Sequence, residues 1–292
     1  MSIQLISSRL LKRHILPLGV LLGFASAFIP VAHAQTILGS MDSYGLMAGG
    51  TVTINGLSTT INGDLGKIGA IAGAGSNYTI TNGAEVTTSA TPNQADFTRA
   101  FTGLAGMTPT ADLTGKILGT TAGATVLTPG IYKFDATAQL TGVLTLDAQN
   151  QSNAVWVFQI GSTFDTAAGS SVVFTNLAAN SVVNDGIFWR VGTTTFLGAN
   201  SVLVGNILGG TTINFGAGAA INYGRALTGS NTMTLDSNTI DFVGSNSGYS
   251  GGLGFVDSGT TIAPIPEPST YALLAGCMTL AFVVIRRRRM PR

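Results

Sequence analysis

Short runs in which apolar and polar residues alternate recur along most of the chain, cut by Gly, Asn-Gly and Ala-Gly punctuation. Thr51-Val52-Thr53-Ile54-Asn55-Gly56, Thr60-Ile61-Asn62-Gly63 and Thr79-Ile80-Thr81-Asn82-Gly83 are three such runs, and Ser201-Val202-Leu203-Val204 continues the series. Period-two alternation bounded by turn residues predicts strands and tight corners. Because successive strand residues point to opposite sides, Leu144 and Leu146, Ile213 and Phe215, and Met233 and Leu235 are expected to face a core. Thr145, Thr212, Asn214, Thr232 and Thr234 then face outward, with Thr163 and Thr194 in similar places.

One segment has a different period. Phe97, Ala100, Phe101 and Leu104 recur at helical spacing. Thr91-Pro92-Asn93-Gln94 ahead of them reads as a capping box with Pro at the first helical position, and Gly106 is suited to end the helix. A single helix over about 92–105 is expected, with one apolar face laid on the β body.

The runs also repeat. Gly192-Thr193-Thr194-Thr195-Phe196-Leu197-Gly198-Ala199 aligns with Gly210-Thr211-Thr212-Ile213-Asn214-Phe215-Gly216-Ala217, an offset of 18 from position 192 to position 210. Gln159-Ile160-Gly161-Ser162-Thr163 aligns with Arg190-Val191-Gly192-Thr193-Thr194, an offset of 31 from position 159 to position 190. The shorter offset suits one turn of a three-sided β-helix, and the inequality of the two implies irregular coils with insertions. The expected fold class is all-β, an irregular β-solenoid with one long α-helix packed alongside.

The two ends carry targeting patterns. Residues 1–34 have the form of a secretory signal peptide: basic Arg9, Lys12 and Arg13, an uncharged apolar stretch, and a small-x-small cleavage site at Ala32-His33-Ala34. At the other end a Gly/Ser-rich stretch, 244–263, reads as a linker. Pro266-Glu267-Pro268, an apolar run and Arg286–Arg289 follow it. That three-part order over 264–292 resembles a PEP-CTERM sorting signal, which implies recognition by an exosortase in a Gram-negative bacterium. The apolar run is at the short end for spanning a bilayer, and the arginines would hold their end on the cytoplasmic side. The expectation is an exported protein, secreted or at the cell surface. Signal peptidase and exosortase are its partners during export, and its C-terminal segment is a transient inner-membrane anchor.

Composition narrows the chemistry. His14 and His33 lie in the signal peptide and Cys277 in the C-terminal apolar run, so the intervening body contains neither His nor Cys. The usual zinc, haem and iron–sulfur ligand sets and His-dependent nucleophile systems are excluded there, and no cofactor is expected. The body between Gln35 and Ile265 carries six basic and twelve acidic residues, a net charge of −6, which offers no basic patch to nucleic acid. Asp135, Asp147, Asp165, Asp185 and Asp236 are scattered at turn-like positions, where Asp commonly caps backbone, and do not form the paired carboxylates of a glycosidase. The body reads as non-enzymatic.

Several stretches in order carry a family resemblance. They are Thr60-Ile61-Asn62-Gly63-Asp64-Leu65-Gly66, Leu127-Thr128-Pro129-Gly130-Ile131-Tyr132, Val157-Phe158-Gln159-Ile160-Gly161-Ser162, Val204-Gly205-Asn206-Ile207-Leu208, Gly224-Arg225-Ala226-Leu227 and Thr234-Leu235-Asp236-Ser237-Asn238-Thr239-Ile240. Over 35–243 the chain resembles the microbial ice-binding (antifreeze) family, an irregular β-helix with a companion helix. The resemblance implies adsorption to ice through one flat Thr-rich face, inhibiting ice growth or recrystallisation. Some members carry T-A/G-x-T/N turns on that face. Here the corresponding stretches are Thr166-Ala167-Ala168-Gly169, Ala199-Asn200-Ser201-Val202 and Ala217-Gly218-Ala219-Ala220, of which only the first begins with Thr. The expected ice-contact residues are Thr145, Thr163, Thr194, Thr212, Asn214, Thr232 and Thr234. The alternative reading is a non-enzymatic matrix or biofilm adhesion protein of the same fold, with extracellular polysaccharide as its partner.

Overall fold

The computed structural model describes residues 37–73, 77–87, 90–151, 154–177, 186–229, 231–242, 253–255 and 262–264. The signal peptide with Ala32 and Ala34, and the sorting motif Pro266, Glu267 and Pro268 with the apolar run after it, lie outside the described residues. Among those described, no helix is long and apolar enough to cross a membrane.

Three parallel sheets of nine, eight and eight strands form the body. The chain visits them in rotation. Trp156–Ile160 lies in sheet I, Phe164–Thr166 in sheet II and Ser171–Thr175 in sheet III, and Ile187–Val191 then returns to sheet I beside Trp156–Ile160. Each circuit thus adds one strand to each sheet. Both repeats in the sequence coincide with this register: Thr195 pairs with Ile213 and Gln159 pairs with Arg190, at the two offsets read from the repeats.

The stacking order is not the chain order. In sheet II the early strand Val52–Asn55 pairs with Met233–Asp236, and in sheet III Thr59–Asn62 pairs with Thr239–Asp241. The first coils therefore close onto the last ones. A continuous route to the other end is still required, because Glu85–Thr87 and Ala111–Asp112 are the opposite edges of sheet I. Helix α1, Ala90–Gly106, is the link between them. At ~1.5 Å per residue its 17 residues cover about 25 Å of a sheet ~38 Å wide.

Phe97, Ala100 and Leu104 of α1 are buried against Met47, Val157, Phe188, Leu208 and Leu227, which project from the outer side of sheet I. The helix begins at Ala90 rather than 92, placing Thr91 and Pro92 inside its first turn. Pro is tolerated there because first-turn amides have no intrahelical acceptor. Gln94, expected to close a capping box, instead donates from Nε2 to the Gly229 carbonyl at 3.0 Å. At the other end Gln159 Nε2 donates to the carbonyls of Leu104 and Met107, satisfying groups that the helix terminus leaves open. Farther along the chain Leu253–Phe255 and Ile262–Pro264 form an antiparallel pair.

Inside the sheets the core is apolar and aromatic. Phe158 and Trp189 stack at 3.8 Å, and Phe164 stacks on Trp189 from the next sheet at 4.8 Å. The two buried indole N–H groups donate to the carbonyls of Leu127 and Val204.

Two buried polar residues make the energetics testable. Arg225, 3% exposed, donates through Nε and Nη2 to the Asp42 carbonyl and through Nη1 to Asn206 Oδ1, and its guanidinium lies 4.8 Å above the Phe242 ring. It ties the segment entering the first coil to the last coils. Replacing Arg225 by Met is expected to lower unfolding free energy by about 2–3 kcal/mol, since hydrogen bonds of charged groups and their partners' desolvation are lost together. An unchanged denaturant midpoint would refute this role. Thr195 does the reverse. It occupies an inward position in register with Phe164 and Ile213, is fully buried, and its hydroxyl has no hydrogen-bond partner among the described residues. Thr195→Val keeps the shape and removes the unsatisfied group, so stability is expected to rise by about 1 kcal/mol. Denaturant melts of the two proteins measure it, and a destabilised valine variant would contradict the assignment.

Candidate functional site

Each sheet has one outward side, and the three differ. That of sheet I is occupied by α1. That of sheet III is partly tied up and partly apolar. Asn62 Nδ2 donates to Asp241 Oδ1 and Asn82 Nδ2 to Asn62 Oδ1, linking neighbouring coils through side chains. Farther along sheet III, Val126, Val143 and Val173 are 54%, 50% and 40% exposed.

Sheet II presents two outward rows. The amides of Ala138, Phe164, Thr195, Ile213 and Met233 donate to the carbonyls of Thr163, Thr194, Thr212, Thr232 and Thr51, which places these threonines at equivalent positions on successive coils. Two residues on, a second row runs Ile117, Gln139, Asp165, Phe196, Asn214, Thr234, Thr53, Ala72. The residues between the rows, including Ile213, Met233 and Val52, are buried. Coils stack ~4.7–4.9 Å apart, and residues two apart along a strand are ~6.6 Å apart, so the rows define a rectangular grid.

The corner before the first row accommodates this spacing. A Cβ on Gly210 would collide with the Gly192 carbonyl oxygen, and one on Gly192 would collide with that of Gly161. Only glycine lets successive coils approach this closely, which explains the recurring Gly-Thr/Ser-Thr wording. Within one such phrase the three threonines have different positions. Thr193 is at the corner, with its hydroxyl 3.3 Å from that of Thr163. Thr194 is in the outer row, with its hydroxyl 3.1 Å from that of Thr211. Thr195 is in the core.

Both rows of the grid are small and polar on three adjacent coils: Thr51 and Thr53, Thr232 and Thr234, Thr212 and Asn214. None of these six side chains has a hydrogen-bond partner among the described residues, and none carries charge. Beyond them the second row changes character to Phe196, 47% exposed, then Asp165, whose carboxyl is pushed up by burial, then Gln139.

Of the seven expected contact residues, the structure brings Thr163, Thr194, Thr212, Asn214, Thr232 and Thr234 onto sheet II. Thr145 is a correction: it pairs with Val126 and Val173 on sheet III, so one planar contact cannot include it with the others. Alternation tells inside from outside but not which of three outsides. Thr51 and Thr53 join the face without having been expected there, because their coil is distant in sequence. The legible signal was the match of Thr51-Val52-Thr53-Ile54-Asn55 to Thr232-Met233-Thr234-Leu235-Asp236. Thr166, the one turn residue fitting the family wording at its first position, is buried, accepting from the Gly198 amide and donating to Ser201 Oγ.

The aspartates are placed apart. Asp135 pairs with Lys133, Asp147 accepts from the Gln149 amide and Asn176 Nδ2, and Asp236 accepts from Ser237 Oγ. Asp185 lies outside the described residues. Among the described residues no group of three or more His, Cys, Asp or Glu is gathered.

Comparison with known proteins gives this geometry its context. The family described as Ice-binding-like matches residues 43–241. An ice-binding protein of Nostoc sp. (strain HG1) is 38% identical over 268 residues, covering 90% of this chain and 93% of that one. The crystal structure of an ice-binding protein from the Antarctic ascomycete Antarctomyces psychrotrophicus is similar at 34% identity and a TM-score of 0.64, over 71% of this chain and 98% of that one. That of an ice binding protein from an Antarctic biological consortium is similar at 30% identity and a TM-score of 0.62, over 70% and 89%. With this match spanning both the closing coils and the two-row face, the chain belongs to the ice-binding-like family.

Proposed function

We propose that the protein is an exported ice-binding protein that adsorbs to ice through the outer grid of sheet II, at Thr51, Thr53, Thr212, Asn214, Thr232 and Thr234. The observation that carries this reading is the in-register array of six uncharged side chains with no hydrogen-bond partner among the described residues. A threonine hydroxyl can join the hydrogen-bond network of ordered water while its methyl fills the gap between water molecules. An array spaced by the backbone ladder needs little reordering on contact, which keeps the entropic cost of adsorption low. Bound molecules would pin the crystal surface and stop growth between them. The absence of charge on the array favours contact with ice, because a charged group would hold its own hydration shell.

Export is part of the proposal. A cleaved signal peptide over 1–34 and a PEP-CTERM signal over 264–292, processed by signal peptidase and an exosortase, would deliver the body outside the inner membrane with transient anchoring by the C-terminal segment. The second reading, matrix adhesion with polysaccharide as partner, is favoured by the exposed valines around Thr145 on sheet III, an apolar surface of the kind that marks contacts.

Thr232→Tyr places a bulky ring at the centre of the array. It is expected to raise the concentration needed to inhibit recrystallisation by about tenfold or more, equivalent to ~1.4 kcal/mol of adsorption. Thr145→Tyr on sheet III should leave that concentration unchanged. A splat-cooling assay of both variants reads the difference, with circular dichroism to confirm folding. Equal loss at both positions, or no inhibition by the parent protein, would rule out sheet II as an ice-contacting face.

A further inference from the structure

The second outward row of sheet II is interrupted at one position. From Thr53 through Thr234 to Asn214 its members are small and polar, and Phe196 follows on the next strand. The first row continues unbroken past that point, through Thr194 and Thr163. Phe196 is 47% exposed and its ring is paired with no other ring among the described residues. It cannot turn inward. Its strand, Thr195–Leu197, is paired on both sides, and both Thr195 and Leu197 point into the core. A one-residue slip would exchange these two for Phe196 and expose Leu197. The ring therefore stands out from the sheet, one strand or ~4.8 Å from Asn214.

A ring at that place has a mechanical consequence. It is taller than a threonine or asparagine side chain, so a rigid planar surface that touches Thr53, Thr234 and Asn214 meets the ring before it meets the coils beyond. Contact energy falls steeply with separation: a gap of roughly 0.5–1 Å already forfeits a quarter to a half of the dispersion well. Thr194 and Thr163 are therefore held off any plane that rests on the three-coil array, although they continue its first row.

We propose that Phe196 is a specificity-determining residue that sets the edge of the ice contact, confining adsorption to the three coils carrying Thr51 and Thr53, Thr232 and Thr234, and Thr212 and Asn214. The inference rests on sheet II being the ice-contacting face. Removing the ring joins the remaining threonines to the array. The chain thus carries a longer threonine row than it uses, and one side chain sets the usable length.

The test uses the complete chain and its recrystallisation-inhibition endpoint. Phe196→Thr should inhibit at a several-fold lower concentration than the parent, and Phe196→Ala should also gain, by less. A paired substitution gives a second readout. Thr163→Tyr should be neutral in the parent but should abolish the gain in the Phe196→Thr background, because only there does Thr163 reach the ice. A loss of activity in Phe196→Thr would overturn the inference by making the ring itself an ice contact. An unchanged endpoint, or a gain that Thr163→Tyr does not remove, would also overturn it. Retained sensitivity to Thr232→Tyr in those cases would leave the sheet II reading standing. Insensitivity of the parent to Thr232→Tyr would instead remove that reading and this inference with it.

Discussion

The structure depends on closure of the winding. The coil built from Tyr44–Ala48, Val52–Asn55 and Thr59–Asn62 comes first in the chain, yet it pairs with Ala226–Thr228, Met233–Asp236 and Thr239–Asp241, which come last. A strand edge exposes unpaired amides and carbonyls, and this pairing covers the edge that the final coil would otherwise present. Arg225, reaching the Asp42 carbonyl, and the bond from Asn62 to Asp241 fasten the same junction. The helix follows from it. Once the first coils are stacked on the last, the chain must travel to the opposite edge before it can wind back, and α1 makes that journey on the outside of sheet I. A helix there needs an apolar outer row, which is why Val157, Phe188, Leu208 and Leu227 are hydrophobic on the outer side of a sheet whose inner side is apolar too.

Closure also assembles the candidate site. Thr53 and Thr234 are paired neighbours although nearly the whole body separates them in sequence. The array therefore exists only in the closed fold, and anything that opens the junction at Arg225 would split it. Cohesion in this body comes from the ladder and the core rather than from surface side chains. The few ion pairs among the described residues, such as Lys67 with Glu85 at the end of the stack and Lys133 with Asp135, lie away from the array. Thr163 and Thr194 bond to Thr193 and Thr211 at the corners, whereas Thr51, Thr53, Thr212, Thr232 and Thr234 have no side-chain hydrogen bond among the described residues, a condition for a face that must offer its hydrogen bonds to something else.

Much of this is legible in the sequence for a physical reason. Alternation identifies Leu144, Leu146, Ile213, Phe215, Met233 and Leu235 as inward because a strand has only two sides, and the two repeat offsets report strand pairing directly because coils stack in register. The helix is readable from Phe97, Ala100 and Leu104, but it starts at Ala90, and Gln94 bonds to the Gly229 carbonyl rather than within the first turn. The face of Thr145 is not readable, since assigning it requires knowing where each corner falls, and corner lengths vary. Thr51 and Thr53 are missed for a different reason: their match to Thr232 and Thr234 spans nearly the whole body, because closure sets coils distant in the chain side by side. Thr195 shows the limit at the scale of one residue. Its composition matches Thr193 and Thr194, and only the pleat sends it into the core.

The first row of sheet II keeps threonine on five successive coils while the second row varies freely, and the side-chain chemistry accounts for the difference. The first row lies one to three residues after a glycine on each of these coils, at Gly50, Gly161, Gly192, Gly210 and Gly229. A β-branched residue there is stiff at χ1, so its hydroxyl and methyl hold fixed positions with little side-chain entropy left to lose. Serine would supply the hydroxyl without that stiffness, and valine the stiffness without the hydroxyl. The second row lies farther along the strand, and its members can be Asn214, Phe196, Asp165 or Gln139 without disturbing the stack. The ladder spaces both rows alike, while the second-row side chains change in size, polarity and charge from coil to coil, through Thr234, Asn214, Phe196 and Asp165.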